Sequence, residues 1–139
     1  MIKQILILLS VVFTSAAMAA DLPRTPSTDG AEVYIVSPAD GAKVGTTFDV
    51  VFGLKGMGVA PAGIDMPNTG HHHLLLNSDE LPPMTVPMGT QVAHFGGGQT
   101  QTTLTLEPGK HTLQLILGDK LHIPHDPPVI SKQITITVE

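Results

Sequence analysis

The stretch Thr47-Phe48-Asp49-Val50-Val51-Phe52-Gly53-Leu54 decides the fold, because apolar residues occupy every second position. Side chains of a β-strand alternate between two faces, so this pattern predicts a strand with one face on a core. The stretch Ile134-Thr135-Ile136-Thr137-Val138 has the same alternation. In residues 111–117 the leucines share one parity, which places His111 on the inward face at the start of its strand.

Short runs rich in β-branched or apolar residues recur along the chain, with segments rich in Pro, Gly and Asp between them. The runs cover residues 33–36, 47–54, 71–76, 91–95, 101–106, 111–117 and 130–138. No helical period is sustained between them. We therefore predict an all-β fold, an immunoglobulin-like β-sandwich of about seven strands.

The first 19 residues have the pattern of a secretory signal peptide. Lys3 supplies a positive charge, residues 5–16 are apolar, and Ala17-Met18-Ala19 fits a cleavage site. We predict a signal peptide over residues 1–19, a disordered leader over 20–30 and a single β-sandwich domain over 31–139. No second apolar run is long enough to cross a bilayer, so we expect a periplasmic or secreted protein without membrane insertion.

Composition narrows the possible chemistry. The formal net charge of −5 argues against nucleic acid as a partner. The sequence has no cysteine, which excludes disulfides and thiolate metal ligands, but it has seven histidines. Imidazole is the commonest protein ligand for transition metals, so a metal site is the first hypothesis.

Three of these histidines are consecutive in Gly70-His71-His72-His73-Leu74-Leu75-Leu76. Residues two apart on a strand lie on the same face roughly 6.5 Å from each other, so His71 and His73 point together and His72 points oppositely. Two such imidazoles can converge on one ion. The alternative is that neutral histidines fill the strand end and hydrogen-bond to nearby carbonyls.

The remaining histidines supply candidates for the rest of the site. We predict a ligand set of His71, His73, His111 and His125, with His94 and His122 as substitutes. The alternative for His122 to Pro128 is an ordinary proline-rich connection between strands, in which Asp126 forms a turn. For His94, the alternative is a hydrogen-bonded histidine at a sheet edge.

Four methionines lie in predicted loops, where thioethers could bind monovalent copper. They are Met57, Met66, Met84 and Met88. Methionine also fills gaps in apolar cores, and the sequence leaves open whether any of the four is a ligand.

Several ordered motifs together resemble one bacterial family. They are residues 70–75, His94-Phe95-Gly96-Gly97-Gly98-Gln99-Thr100, residues 108–115 and the segment from His122 to Pro128. They resemble the family called domain of unknown function 4399, over roughly residues 53–138. The resemblance implies a small exported domain with an immunoglobulin-like fold and without an established activity to carry over.

Three functional hypotheses follow from these observations. The first is an exported bacterial domain that binds copper or zinc through its histidines, for carriage, storage or sensing. The second is an interaction module of the cell envelope, whose partner is another envelope protein and whose histidines are structural. The third is a metal-dependent enzyme, which would need an open coordination position on the ion; the sequence has no familiar catalytic motif, so we favour a protein that is not an enzyme.

Overall fold

The computed structural model describes residues 22–139, so the predicted signal peptide over residues 1–19 lies outside the described residues. Nine β-strands and no helix are found in residues 22–139. The strands are β1 (Glu32–Ser37), β2 (Lys43–Val44), β3 (Thr47–Lys55), β4 (Gly58–Val59), β5 (Thr69–Leu76), β6 (Ala93–His94), β7 (Gln101–Thr105), β8 (Gly109–Gly118) and β9 (Ile134–Val138). Within the described part of the chain, no helix could span a membrane.

The strands form two sheets. The smaller sheet has the order β1-β3-β7, with antiparallel pairing throughout. The larger sheet has the order β2-β9-β8-β5-β4, and β6 pairs with β5 beside this path. The antiparallel pairs β5–β8 and β8–β9 form the centre of the larger sheet, whereas β4 pairs in parallel with the start of β5.

The main apolar core lies between the two sheets. Val50 and Phe52 of β3 pack there with leucines of β8 and with Ile136 of β9. All these side chains are buried, and their positions have the parity that the alternating sequence predicts. Each predicted run contains a strand, and the two-residue strands β2 and β4 are additional. The predicted all-β, sandwich-like fold is therefore confirmed.

A second, smaller apolar cluster covers the outer face of the larger sheet. It contains Leu75 of β5, Ile116 of β8, and Met88 and Val92 from the segment between β5 and β6. The centre of the larger sheet is therefore buried on both faces. This arrangement explains why β5 and the end of β8 are almost continuously buried instead of alternating between buried and exposed.

Residues 24–27, which lie within the leader predicted over residues 20–30, make specific contacts. Arg24 donates hydrogen bonds to the carbonyl oxygens of Pro124 and His125 and pairs with Asp126. Ser27 donates its backbone N–H to the carbonyl of Asp126 at 3.1 Å. We call residues 24–27 the amino-terminal strap. Local composition cannot reveal it, because its partners lie about a hundred residues away.

Candidate metal centre

The triple histidine lies within β5, and its members divide between the two faces of the larger sheet. His72 faces the main core, where its ring centroid is 5.0 Å from that of Phe52. His71 and His73 face outward beside the second apolar cluster, with ring centroids 4.6 Å apart. All three are at most 1% exposed. The predicted common face of His71 and His73 is present, together with the opposite orientation of His72.

Glycines make room for the imidazole rings of His73 and His94. A Cβ atom on Gly118 of β8 would lie 2.5 Å from Cε1 and 2.9 Å from Nδ1 of His73, so only glycine fits there without movement. Gly96 is in the same relation to His94, because a Cβ on Gly96 would collide with the His94 ring. The close packing of each ring therefore depends on a missing side chain.

His94 comes next to His73 through strand pairing. The short strand β6 pairs antiparallel with β5, and His94 is the direct partner of His73. The backbone N–H of Phe95 then donates to the carbonyl of His72 at 3.1 Å, which holds the end of β6 against β5. The His94 side chain is exposed, so it forms the solvent-facing side of the histidine group.

His122 is carried on a tight turn that follows β8, here called the 119–123 turn. Asp119 is 2% exposed, and its Oδ1 accepts the backbone N–H groups of Leu121 and Ile123 at 2.9 and 3.0 Å. The backbone N–H of His122 donates to the Asp119 carbonyl, and His122 itself has a φ of 65°. Thr25 of the amino-terminal strap donates its hydroxyl to Asp119 Oδ2 at 2.7 Å. The turn is therefore fixed from both sides.

These elements bring four imidazoles together: His71, His73, His94 and His122. One ring nitrogen from each lies within 4.8 Å of the others. Nε2 of His71 is 3.0 Å from Nδ1 of His122 and 3.2 Å from Nε2 of His94. We call this group the histidine cluster. It could hold a metal ion, because its ring nitrogens converge on one small volume.

Burial favours the neutral form of His71 and His73. Burial, followed by the neighbouring rings of His122 and His94, lowers the pKa of His71 to about 4. Burial, with the rings of His71 and His94, lowers the pKa of His73 to about 3. The pKa of His94 is also lowered, by desolvation first and by His122 second. Neutral imidazoles have the free lone pair that a metal ion requires.

His73 has the least satisfied side chain of the cluster. Both Nδ1 and Nε2 of His73 are buried without a hydrogen-bond partner, and so is Nδ1 of His71. An unpaired buried polar group costs about 1–3 kcal/mol, and such groups are rare in folded proteins. A ligand at the cluster would remove part of this cost.

The structure places His111 and His125 elsewhere. His111 lies near the start of β8, whereas His71 pairs with Gly118 at the end of β8, about 23 Å further along a strand. Nδ1 of His111 is 2.9 Å from Nδ2 of Asn77, and its Nε2 is 2.8 Å from the Glu107 carbonyl oxygen. His111 therefore connects the Asn77 side chain to the Glu107 backbone and lies outside the histidine cluster.

His125 is close in the fold to the cluster but its nitrogens are directed to the backbone. Nε2 is 3.1 Å from the carbonyl oxygen of Thr69, and Nδ1 is 3.4 Å from that of Leu117. Its ring also packs against Gly70, where a Cβ atom would approach His125 Cε1 to 2.8 Å. The side chain is fully buried. Its contacts are those of a structural histidine.

Two of the four methionines pack against apolar clusters. Met57 packs against the main core and Met88 belongs to the second apolar cluster. The backbone N–H of Met88 donates to the His122 carbonyl at 2.8 Å, so Met88 helps to hold the segment that carries this histidine. Met66 is exposed.

A comparison with protein families matched residues 50–139 to the family described as "Domain of unknown function (DUF4399)". The chain belongs to the DUF4399 family. The DUF4399 match confirms the family resemblance and contains all four members of the histidine cluster, whereas the amino-terminal strap precedes it. Searches of curated proteins and of solved structures returned no match.

Proposed function

We propose that this DUF4399 protein binds one transition-metal ion, zinc or copper, through His71, His73, His94 and His122. The observation that carries the proposal is the convergence of four ring nitrogens within 4.8 Å, with both nitrogens of buried His73 unpaired. Imidazole is a suitable ligand for both metals.

Two of the distances between ring nitrogens agree with those of a four-coordinate site. A tetrahedral ion with metal–nitrogen bonds of about 2.0 Å separates its ligand nitrogens by about 3.3 Å. The two nitrogen pairs at 3.0 and 3.2 Å are close to this value. The remaining pairs lie within 4.8 Å, so binding would bring them closer together by at most about 1.5 Å.

Four protein ligands favour carriage, storage or sensing over catalysis. Structural zinc sites have four protein ligands, whereas catalytic sites keep one position open for water or substrate. The exposed His94 provides a route by which the ion enters and leaves, since the rings of His71 and His73 are buried. We propose that this activity lies in the bacterial periplasm or outside the cell, because the first 19 residues have the pattern of a signal peptide.

The second candidate function is an interaction module of the cell envelope with structural histidines. The contacts of His111 and His125 favour it, because their ring nitrogens face protein groups. The unpaired nitrogens of His73 favour the metal instead.

The test is titration of the protein, purified without an affinity tag, with Zn²⁺ at pH 7. We expect one equivalent to bind with a dissociation constant well below about 1 mM and to raise the melting temperature. His73→Ala should abolish this binding, whereas His111→Ala is the matched control on a neighbouring strand and should bind normally. No binding by the folded wild-type protein, of Zn²⁺ or of copper, would favour the interaction module.

A further inference from the structure

We propose that the histidine cluster selects ions that prefer tetrahedral coordination, Zn²⁺ or Cu⁺, against Cu²⁺. This inference rests on the proposed metal binding and adds the class of ion. Closed-shell ions accept tetrahedral sites, whereas Cu²⁺ prefers square-planar or tetragonal geometry. The arrangement of the four rings therefore decides which ions fit.

The rings approach a tetrahedron more closely than a square. The six separations between ring centroids are all between 4.4 and 5.9 Å. In a square, both diagonals exceed every side by a factor of about 1.4, as a square-planar ion would require. If the four rings formed a square, its diagonals would be the pairs His71–His94, at 5.1 Å, and His73–His122, at 5.9 Å. The first of these is shorter than the His73–His94 separation of 5.2 Å, which would be a side.

The scaffold resists rearrangement of this geometry. His71 and His73 lie on a central strand, and Gly118 leaves no space behind the His73 ring. His94 is held through β6, with Gly96 against its ring. A flattened site would require several of these packed groups to move together, which close-packed interiors oppose.

The fourth ligand, His122, is positioned by the hydrogen bonds of a separate residue, Asp119. Asp119 accepts two amide hydrogens of the 119–123 turn and the hydroxyl of Thr25. Asp119 and Thr25 act here as positioning residues, because their contacts fix the turn that carries His122. Loosening these contacts should let His122 move and let Cu²⁺ adopt the geometry that it prefers.

The test compares the affinity of Cu²⁺ with that of Zn²⁺ in the wild-type protein and in Asp119→Ala. Divalent copper ordinarily binds a given nitrogen site more tightly than zinc. We expect the ratio of Cu²⁺ affinity to Zn²⁺ affinity to be about tenfold lower in the wild type than in Asp119→Ala, since groups behind the ligands change metal affinity by about 10–100-fold. Thr25→Val is a second, milder variant in which the ratio should rise in the same direction.

Electron paramagnetic resonance of the Cu²⁺ form gives a readout that folding defects do not mimic. The wild-type spectrum should have the narrowed copper hyperfine splitting of a tetrahedrally distorted site, and Thr25→Val should move it toward the tetragonal pattern. Titration of Cu⁺ without oxygen against Zn²⁺ then determines which closed-shell ion binds more tightly. A tetragonal wild-type spectrum, or equal affinity ratios in all three proteins, would overturn the selection of tetrahedral ions. Failure of metal binding itself is distinct, because the wild type would then bind neither zinc nor copper.

Discussion

Gly118 and His73 lie against each other across neighbouring strands, with no space for a side chain between them. An added Cβ atom would be 2.5 Å from His73 Cε1 and 2.9 Å from the methyl carbon of Met88. The identity of residue 118 therefore controls the position of an imidazole of the histidine cluster that is distant in sequence.

We expect Gly118→Ala to displace His73 and to reduce zinc affinity by about tenfold or more, the size of effect seen when groups behind ligands are changed. Overpacking should also lower the free energy of unfolding by about 1–3 kcal/mol. Gly45→Ala is the control, because the nearest atom to a Cβ there is 4.0 Å away. Zinc titration and urea unfolding measure both effects; unchanged zinc affinity in Gly118→Ala would contradict the proposed role of His73.

The two faces of β5 give the second prediction. His72→Leu should leave zinc affinity nearly unchanged, because His72 faces Phe52 in the main core. His71→Leu should reduce affinity by about tenfold or more, since it removes a ligand from the opposite face. Calorimetric titration of both variants distinguishes the faces. A large loss of zinc affinity in His72→Leu alone would mean that the metal lies on the opposite face of β5 from the histidine cluster, which would contradict the proposed site.

The amino-terminal strap gives the third prediction. Thr25→Val keeps the side-chain shape and removes the hydrogen bond to Asp119, so we expect a loss of about 1 kcal/mol in unfolding free energy. Zinc should also bind less tightly, because the turn that carries His122 is loosened. Ser27→Ala, which removes an exposed hydrogen bond to the Pro127 carbonyl, is the matched control and should retain zinc affinity. Equal affinities in all three proteins would show that Thr25 does not position His122.

The fourth prediction concerns pH. Burial lowers the pKa of His71 and His72 to about 4 and that of His73 to about 3, whereas unfolded histidine has a pKa near 6.5. The unfolded chain therefore binds more protons below pH 6.5, and the metal-free protein should lose stability as the pH falls from about 6.5 toward 4. Each of these three imidazoles should contribute a loss of about 2 kcal/mol at pH 5.

Urea unfolding between pH 7 and pH 5 measures this dependence. His72→Leu should weaken it while leaving the histidine cluster intact. A free energy of unfolding that stays constant over this range in the wild-type protein would contradict the neutral, buried state of these imidazoles.

The sequence predicts half of the cluster directly. The alternation of side chains along a strand is enough to place His71 and His73 on one face of β5. His111 and His125 rank ahead of His94 and His122 in the predicted ligand set, whereas the structure groups the latter two with β5. Parity states which face a residue takes but not which end of the sheet it occupies. His111 shares the parity of the leucines in the main core, opposite to the face that holds the cluster.

Long-range contacts account for the rest of the difference. His94 reaches His73 only through the pairing of a two-residue strand, which is too short to leave a pattern in the sequence. His122 depends on an aspartate cap and on a strap from the beginning of the domain. Proline and aspartate in the 119–128 segment indicate a turn but do not determine its neighbours.

The spacing of the four histidines also has a consequence for a chain that contains no cysteine. His71 is separated from His94 by 23 positions and from His122 by 51. An ion bound to all of them would join β5, β6 and the 119–123 turn as a reversible cross-link, closing loops of the kind that disulfides close in small secreted domains. Loss of the ion would free the edge of the larger sheet to open locally, so the amide hydrogens of Phe95 and His122 would exchange with solvent faster while those of β8 remained protected.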